Sequence, residues 1–214
     1  MESEYQNLVI KTSKTELPIP VVDGVHLHSA YNPEREAEGF LKKNEEVIRQ
    51  NSNLLILGSG FGYHLKQILY YAKKIHKDKA RIFVIDPNID VIKKAHELNV
   101  LPIDKQLIYK IGPKVQSHYQ DRDLLEFLVL RPSLIAHPAS FHLYDIFFKT
   151  FFTYKSPSKI KDILCFIEND DYKNSFSSEN DETLFIDHLE KIKTKNNLTP
   201  YDFLTLAIEE ISGL

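Results

Sequence analysis

The sequence predicts an α/β fold built on a doubly wound, mainly parallel sheet, and three observations predict it. Leu54-Leu55-Ile56-Leu57 is an apolar run that passes directly into Gly58-Ser59-Gly60-Phe61-Gly62, the pattern of a buried strand entering a tight turn. Ile82-Phe83-Val84-Ile85 is a second such run and ends in a carboxylate, Asp86. Between them Leu65, Ile68, Leu69, Ala72 and Ile75 recur at helical spacing, so the segment reads as strand, helix, strand with a right-handed crossover.

Taken in order, residues 17–29 read as two short extended segments about Asp23-Gly24, a dipeptide suited to the positive φ angles of a two-residue hairpin turn. Pro18 and Pro20 lack backbone donors and place the first segment at a sheet edge. Asn32-Pro33 offers a cap and a first-turn proline to a helix over about 33–50, whose apolar positions are Ala37, Phe40, Leu41, Val47 and Ile48. Strand one is Leu54–Leu57, and the helix after the glycine turn leaves Lys66, Lys73 and Lys77 for solvent. Strand two, Arg81–Ile85, leads to a helix from near Asn88 that carries Val91, Ile92, Ala95 and Leu98. Leu107–Ile111 is a third strand, Asp123–Leu130 a helix, Ser133–Ala136 a fourth strand and Phe141–Tyr154 an aromatic helix. Ile163–Ile167 completes a five-strand sheet.

Glu168–Glu182 is rich in Ser, Asn and Asp and reads as a surface loop or hinge. Two amphipathic helices follow, the last starting at Thr199-Pro200 with Phe203, Leu204, Ala207, Ile208 and Ile211 on an apolar face. That face caps the core, packs on a protein partner, or supports a further domain. The division expected is a β-hairpin appendage over 1–32, an α/β core over 33–168, and a polar loop with C-terminal helices over 169–214.

The chain has 214 residues, 43% hydrophobic and 27% charged, which suits one folded core and argues against wholesale disorder. A net charge of −3 gives no electrostatic case for nucleic acid. Cys165 is the single cysteine, cannot form an internal disulfide, and reads as a small core residue within Ile163–Ile167. No run reaches the roughly 18 apolar residues a membrane span needs. Met1-Glu2-Ser3-Glu4 lacks the features of a signal peptide, so the expected setting is the cytoplasm, without a membrane partner.

Gly58, Gly60 and Gly62 are the leading candidates for a ligand site, because glycine lets a ligand approach the backbone and lets the next helix aim its amides at it. Tyr63 stands where the dinucleotide fingerprint has its third glycine. The pattern is nearer the turn of S-adenosylmethionine-dependent methyltransferases, with Asp86 holding a ribose. The alternative for the glycines is close strand–helix packing, and for Asp86 helix capping in Asp86-Pro87-Asn88. Strand three ends in Tyr109-Lys110-Ile111-Gly112-Pro113, without the carboxylate that many of those enzymes use against adenine. His137 follows strand four, where it could donate to a phosphate, act as a base, or merely close a turn. His26 and His28 share a face of an extended segment, but no third ligand stands at a telling spacing, so no metal site is expected.

His26-Leu27-His28-Ser29-Ala30-Tyr31-Asn32-Pro33-Glu34-Arg35-Glu36-Ala37, together with the glycine turn through Leu65 and Val84-Ile85-Asp86-Pro87-Asn88, resembles the amino-terminal region of the motility accessory factor (Maf) proteins. These bacterial proteins glycosylate flagellin with nonulosonic acids, and the resemblance spans roughly residues 20–155. It implies a Rossmann-like domain that in the family precedes a separate glycosyltransferase domain; the sequence reaches Leu214 before such a domain could fit, so the expectation is either a free-standing relative or a fragment of a longer protein. In the first motif Ser29 and Tyr31 stand at a strand end. Arg35 there either reaches a phosphate or carboxylate or bridges neighbouring glutamates.

Three functions follow as expectations. One is an accessory or ligand-binding domain for a nucleotide or nucleotide sugar, with Gly58, Gly60, Gly62, Asp86, Ser29, Tyr31, Arg35 and His137 as its site and no complete transferase activity of its own. The second is a small-molecule methyltransferase using S-adenosylmethionine. The third is a non-catalytic scaffold with a vestigial pocket.

Overall fold

The computed structural model describes residues 7–155, 157–165 and 167–212. The chain divides into two compact units, Met1–Tyr154 and Lys155–Leu214. The first opens with an antiparallel sheet of β1 (Leu8–Thr12), β2 (Pro18–Val22) and β3 (Val25–His26) in the order β1-β2-β3. Asp23 and Gly24 make the expected turn with φ of 48° and 83°. The edge placement of Pro18 and Pro20 is corrected, because β2 is the middle strand. The Pro20 carbonyl accepts the Leu27 N–H at 3.0 Å, so the backbone groups of residues 18 and 20 face the β3 side. With only two residues in β3, little is lost where the prolines lack donors, and β1 pairs along the other side.

The parallel sheet follows from α1 (Pro33–Gln50), β4 (Asn53–Leu57), α2 (Tyr63–His76), β5 (Arg81–Asp86), α3 (Ile89–Glu97), β6 (Leu107–Ile111), α4 (Val115–Tyr119), α5 (Arg122–Val129), β7 (Ser133–Ala136), α6 (Pro138–Leu143) and α7 (Asp145–Thr153). Its order is β6-β5-β4-β7, all parallel, with Leu57 level with Ile85 on one side and Ala136 on the other. The chain runs outward from β4 to β6 and then returns to β7. The strand order therefore reverses between β4 and β7, the place where open α/β sheets form a crevice beyond their carboxyl ends.

Alternation along the strands divides the core. Leu54, Ile56, Ile82, Val84 and Ile135 pack with Ile48 of α1 and Leu65, Ile68 and Ala72 of α2. Leu55, Leu57, Phe83 and Ile85 pack with Leu124 and Phe127 of α5 and Phe148 and Phe151 of α7. Burial on both faces explains why these strands read as unbroken apolar runs. The aromatic helix expected over Phe141–Tyr154 is two helices, because Tyr144 adopts φ −107° and ψ 33° between α6 and α7.

The expected fifth strand is also corrected. Its segment lies in the second unit, where Ile160–Leu164 is the helix α8 and Cys165 is exposed, its thiol donating to the Asp162 carbonyl at 2.9 Å. Ile160, Ile163 and Leu164 stand at i, i+3 and i+4 with Lys161 and Asp162 between, a helical period that a five-residue apolar window hides. Phe166 of that run lies outside the described residues. This unit continues with α9 (Asp170–Asn174) inside the polar segment, then the expected α10 (Phe185–Lys193) and α11 (Pro200–Ser212). Phe176, Leu189 and Ile192 are buried in it, whereas Phe203, Leu204 and Ile208 of α11 are exposed. Among the described residues no helix is long and apolar enough to cross a membrane.

Candidate functional site

The glycine turn is held from beneath by Asp86. Its Oδ2 accepts the Ser59 N–H at 2.8 Å and the Ser59 hydroxyl at 2.7 Å, and its Oδ1 accepts the Asn88 N–H at 2.9 Å. Asn88 in turn caps α3 and donates to the Tyr144 hydroxyl at 3.1 Å. Burial of Asp86 raises its carboxyl pKa, and these hydrogen bonds oppose that rise. Oδ2 thus staples the end of β4 to that of β5, while Oδ1 closes the turn into α3.

The upper side of the turn is filled by the protein itself. Gly60 has φ 48°, and a Cβ there would lie 2.4 Å from Nε2 of His28. A Cβ on Gly58 would lie 2.2 Å from Cβ of Ser140, so the glycines admit α6 and the loop after β3 into close contact. Gly62 stands beside Leu101 and Pro102. The amides are also used: Phe61 N–H donates to His28 Nε2 at 2.8 Å, and Gly62 N–H to the Ser59 carbonyl at 2.8 Å.

His28 belongs to a cluster. Because its Nε2 accepts from Phe61, its proton sits on Nδ1, which faces Glu36 Oε2 at 3.6 Å. Glu36 also accepts the Ser29 N–H at 2.8 Å. His64, in the first turn of α2, donates Nε2–H to the Gly58 carbonyl at 3.1 Å, and its Nδ1 is buried without a partner among the described residues. His137, just before α6, places Nδ1 at 2.8 Å from the Ser140 hydroxyl. The rings of His64 and His137 stack at 4.3 Å with 2° between their planes, and His28 lies 5.1 Å from His137. Burial keeps all three neutral: it lowers His28, takes His64 down to about 3, and holds His137 well below the ordinary imidazole value, helped by the neighbouring rings.

These imidazoles floor a cleft of about 390 Å³ at the β4/β7 reversal, between α1 and the start of α6. Phe40 and Pro138 supply apolar wall, and Arg35, Glu36 and Lys43 stand along α1. Arg35 and Lys43 are exposed and make no ion pair among the described residues. Of the residues singled out in sequence, the cleft brings Arg35 and His137 together, with Gly60 against its floor through His28. Ser29 builds the turn into α1, its hydroxyl accepting the Tyr31 and Asn32 amides at 3.2 and 3.3 Å. Tyr31 is 66% exposed, with the Lys14 ammonium 4.3 Å above its ring, and does not line the cleft. Asp86 and Gly62 lie away from it as well.

No protein-family model matches the chain, and no curated protein matches it. Among solved structures it is similar to MnmC2 from Aquifex aeolicus, at 16% identity and a TM-score of 0.37. The match covers 56% of this chain and 47% of that one, so it extends over about half of the MnmC2 chain. The likeness is one of partial backbone arrangement and identifies no activity.

His64 and Lys43 escaped the sequence reading. The available signal for His64 was a histidine set directly after a glycine turn and among the apolar positions of a helix. The expected common strand face of His26 and His28 is corrected, because β3 ends at His26 and the chain then turns to carry His28 onto the glycine loop.

Proposed function

We propose that this chain is a Rossmann-like ligand-binding domain of the Maf type, and that it takes an anionic nucleotide or nucleotide sugar in the cleft between α1 and α6. The observation that carries this reading is the pair of cations, Arg35 and Lys43, which make no ion pair among the described residues and stand on the rim of a preformed cavity of about 390 Å³. That volume falls within the usual range for small-molecule sites, and the planar guanidinium of Arg35 suits a phosphate or carboxylate. Phe40 offers an apolar wall to a base or sugar face. Among the described residues Glu36 is the one carboxylate that lines the cleft, and it is committed to His28 and to the Ser29 amide, so the domain binds its ligand and relies on another module for transfer. A methyltransferase would need room over Gly60 and a free carboxylate at Asp86, and His28 and Ser59 take both places.

Thermal-shift and calorimetric titrations with cytidine nucleotides, adenine nucleotides and S-adenosylhomocysteine test the reading. A nucleotide at a hundredfold above its dissociation constant adds about 2.7 kcal/mol of stability. Arg35→Ala and Lys43→Ala should each weaken that binding at least tenfold while leaving the ligand-free melting temperature in place, since both side chains are exposed. Tight S-adenosylhomocysteine binding indifferent to Arg35→Ala would overturn the proposal in favour of the methyltransferase. Silence toward every nucleotide would overturn it in favour of the scaffold.

A further inference from the structure

Three imidazoles from separate parts of the chain meet on the floor of the cleft. His28, His64 and His137 are 3%, 2% and 4% exposed, and each offers a ring nitrogen within 4.8 Å of the other two. Histidines seldom gather in this way without a shared task, because each buried ring nitrogen needs a partner. Nδ1 of His64 has none among the described residues, since Nε2–H is spent on the Gly58 carbonyl. Nδ1–H of His28 faces the Glu36 carboxylate, the outer partner that orients a metal-ligating histidine. If His137 donates Nδ1–H to Ser140, its Nε2 carries a lone pair as well.

We propose that His28, His64 and His137 bind one divalent transition ion of the Zn²⁺ class, with Glu36 as outer partner and the cleft side left open for a fourth ligand. Neutral imidazoles favour Zn²⁺, Ni²⁺, Cu²⁺ or Fe²⁺ over Mg²⁺ and Ca²⁺, which take oxygen. Three protein ligands with one open position is the arrangement of sites that also engage a substrate. With one N–H of each ring held by a protein acceptor, the other nitrogen turns a lone pair to the ion and no proton has to leave.

Binding requires two local movements. A metal lies in the plane of each ring that ligates it, and the planes of His64 and His137 are parallel, so one ring turns toward the other. Nε2 of His28 exchanges the Phe61 amide for the ion. The nitrogens then draw in to the spacing that Zn–N bonds of about 2.0–2.1 Å set. The proposal does not depend on which organic ligand enters the cleft.

The full chain, stripped with a chelator and dialysed, is titrated with Zn²⁺ by calorimetry and with Co²⁺ by visible absorption. The expected result is one equivalent bound, with the intense visible bands of tetrahedral Co²⁺. Affinity should fall at least tenfold in His64→Gln and in His137→Gln, and stay unchanged in His96→Gln and His142→Gln, whose rings are exposed. Circular dichroism checks that each variant is folded. Should the buried variants fail to fold, ring ¹⁵N shifts in the unmutated chain decide, since Zn²⁺ must move those of His28, His64 and His137. Absence of stoichiometric binding, equal binding by the folded buried variants, or shifts confined to exposed histidines would each overturn the proposal.

Discussion

Replacing Gly60 with alanine tests whether the glycine turn exists to receive His28. The new Cβ would stand 2.4 Å from Nε2 of His28, and φ at this position is 48°. Left-handed backbone costs an L-residue about 1–2 kcal/mol. Displacing the imidazole also breaks its hydrogen bond from the Phe61 amide and leaves a buried donor unpaired, about 1–3 kcal/mol more. The sum is a destabilisation of about 2–5 kcal/mol, read from urea unfolding of the chain. Gly39 in α1 is the control: among the described residues nothing beyond its chain neighbours and its own helix backbone lies within 4 Å of its Cβ position, and Gly39→Ala should stabilise by about 0.5–1 kcal/mol. The decisive step is a cycle with His28→Ala, in which the clash disappears and only the backbone strain remains. A coupling of about 1–3 kcal/mol is expected, and additivity within about 0.5 kcal/mol would refute the reasoning.

Two further predictions concern the same turn. Burial takes the His64 pKa down to about 3 in the folded chain, against 6.5 for an ordinary imidazole, so the unfolded chain binds an extra proton between those pH values. The stability this contributes is fully present above pH 6.5 and is lost as pH falls toward 3, at about 1.4 kcal/mol per pH unit. Urea midpoints at pH 7, 6, 5 and 4 should decline, and the decline should be shallower by about one proton in His64→Gln. An identical slope in the variant would remove His64 from the account. Asp86→Ala should cost about 3–5 kcal/mol, because it strips partners from two buried amides and the Ser59 hydroxyl at once. Full stability in that variant, with nucleotide affinity lost, would instead make Asp86 a ligand contact.

Much of the first unit was legible before folding was considered. Leu107–Ile111 and Ser133–Ala136 form strands at the expected bounds, although as outer strands they are only partly buried, while the inner strands β4 and β5, covered on both faces, leave the bare apolar runs that mark them. Asn32-Pro33 opens α1 as expected, its side chain accepting the Arg35 amide at 2.9 Å. Ile163–Ile167 misled because five apolar residues carry too little period to separate strand from helix. Pro18 and Pro20 misled because the donor a proline lacks matters only on the side where a neighbour asks for it. His137 could be set at the end of a strand from sequence, yet its stacking on His64 joins α6 to α2 across the sheet's end, a contact no local pattern encodes.

The sequence by itself determined that this chain has a parallel sheet, that a glycine turn follows its first strand, and that a carboxylate ends the second. Those are consequences of period, of backbone freedom at glycine and of apolar runs, all of which act between near neighbours. Only the tertiary structure decided what occupies the turn. His28, 33 residues before Phe61, lies over Gly60, and Ser140 presses on Gly58, so the space a ligand would need there is taken and the opening moves to the cleft beside α1. A glycine declares that something comes close to the backbone; which atoms come close is settled by contacts between residues far apart in the chain.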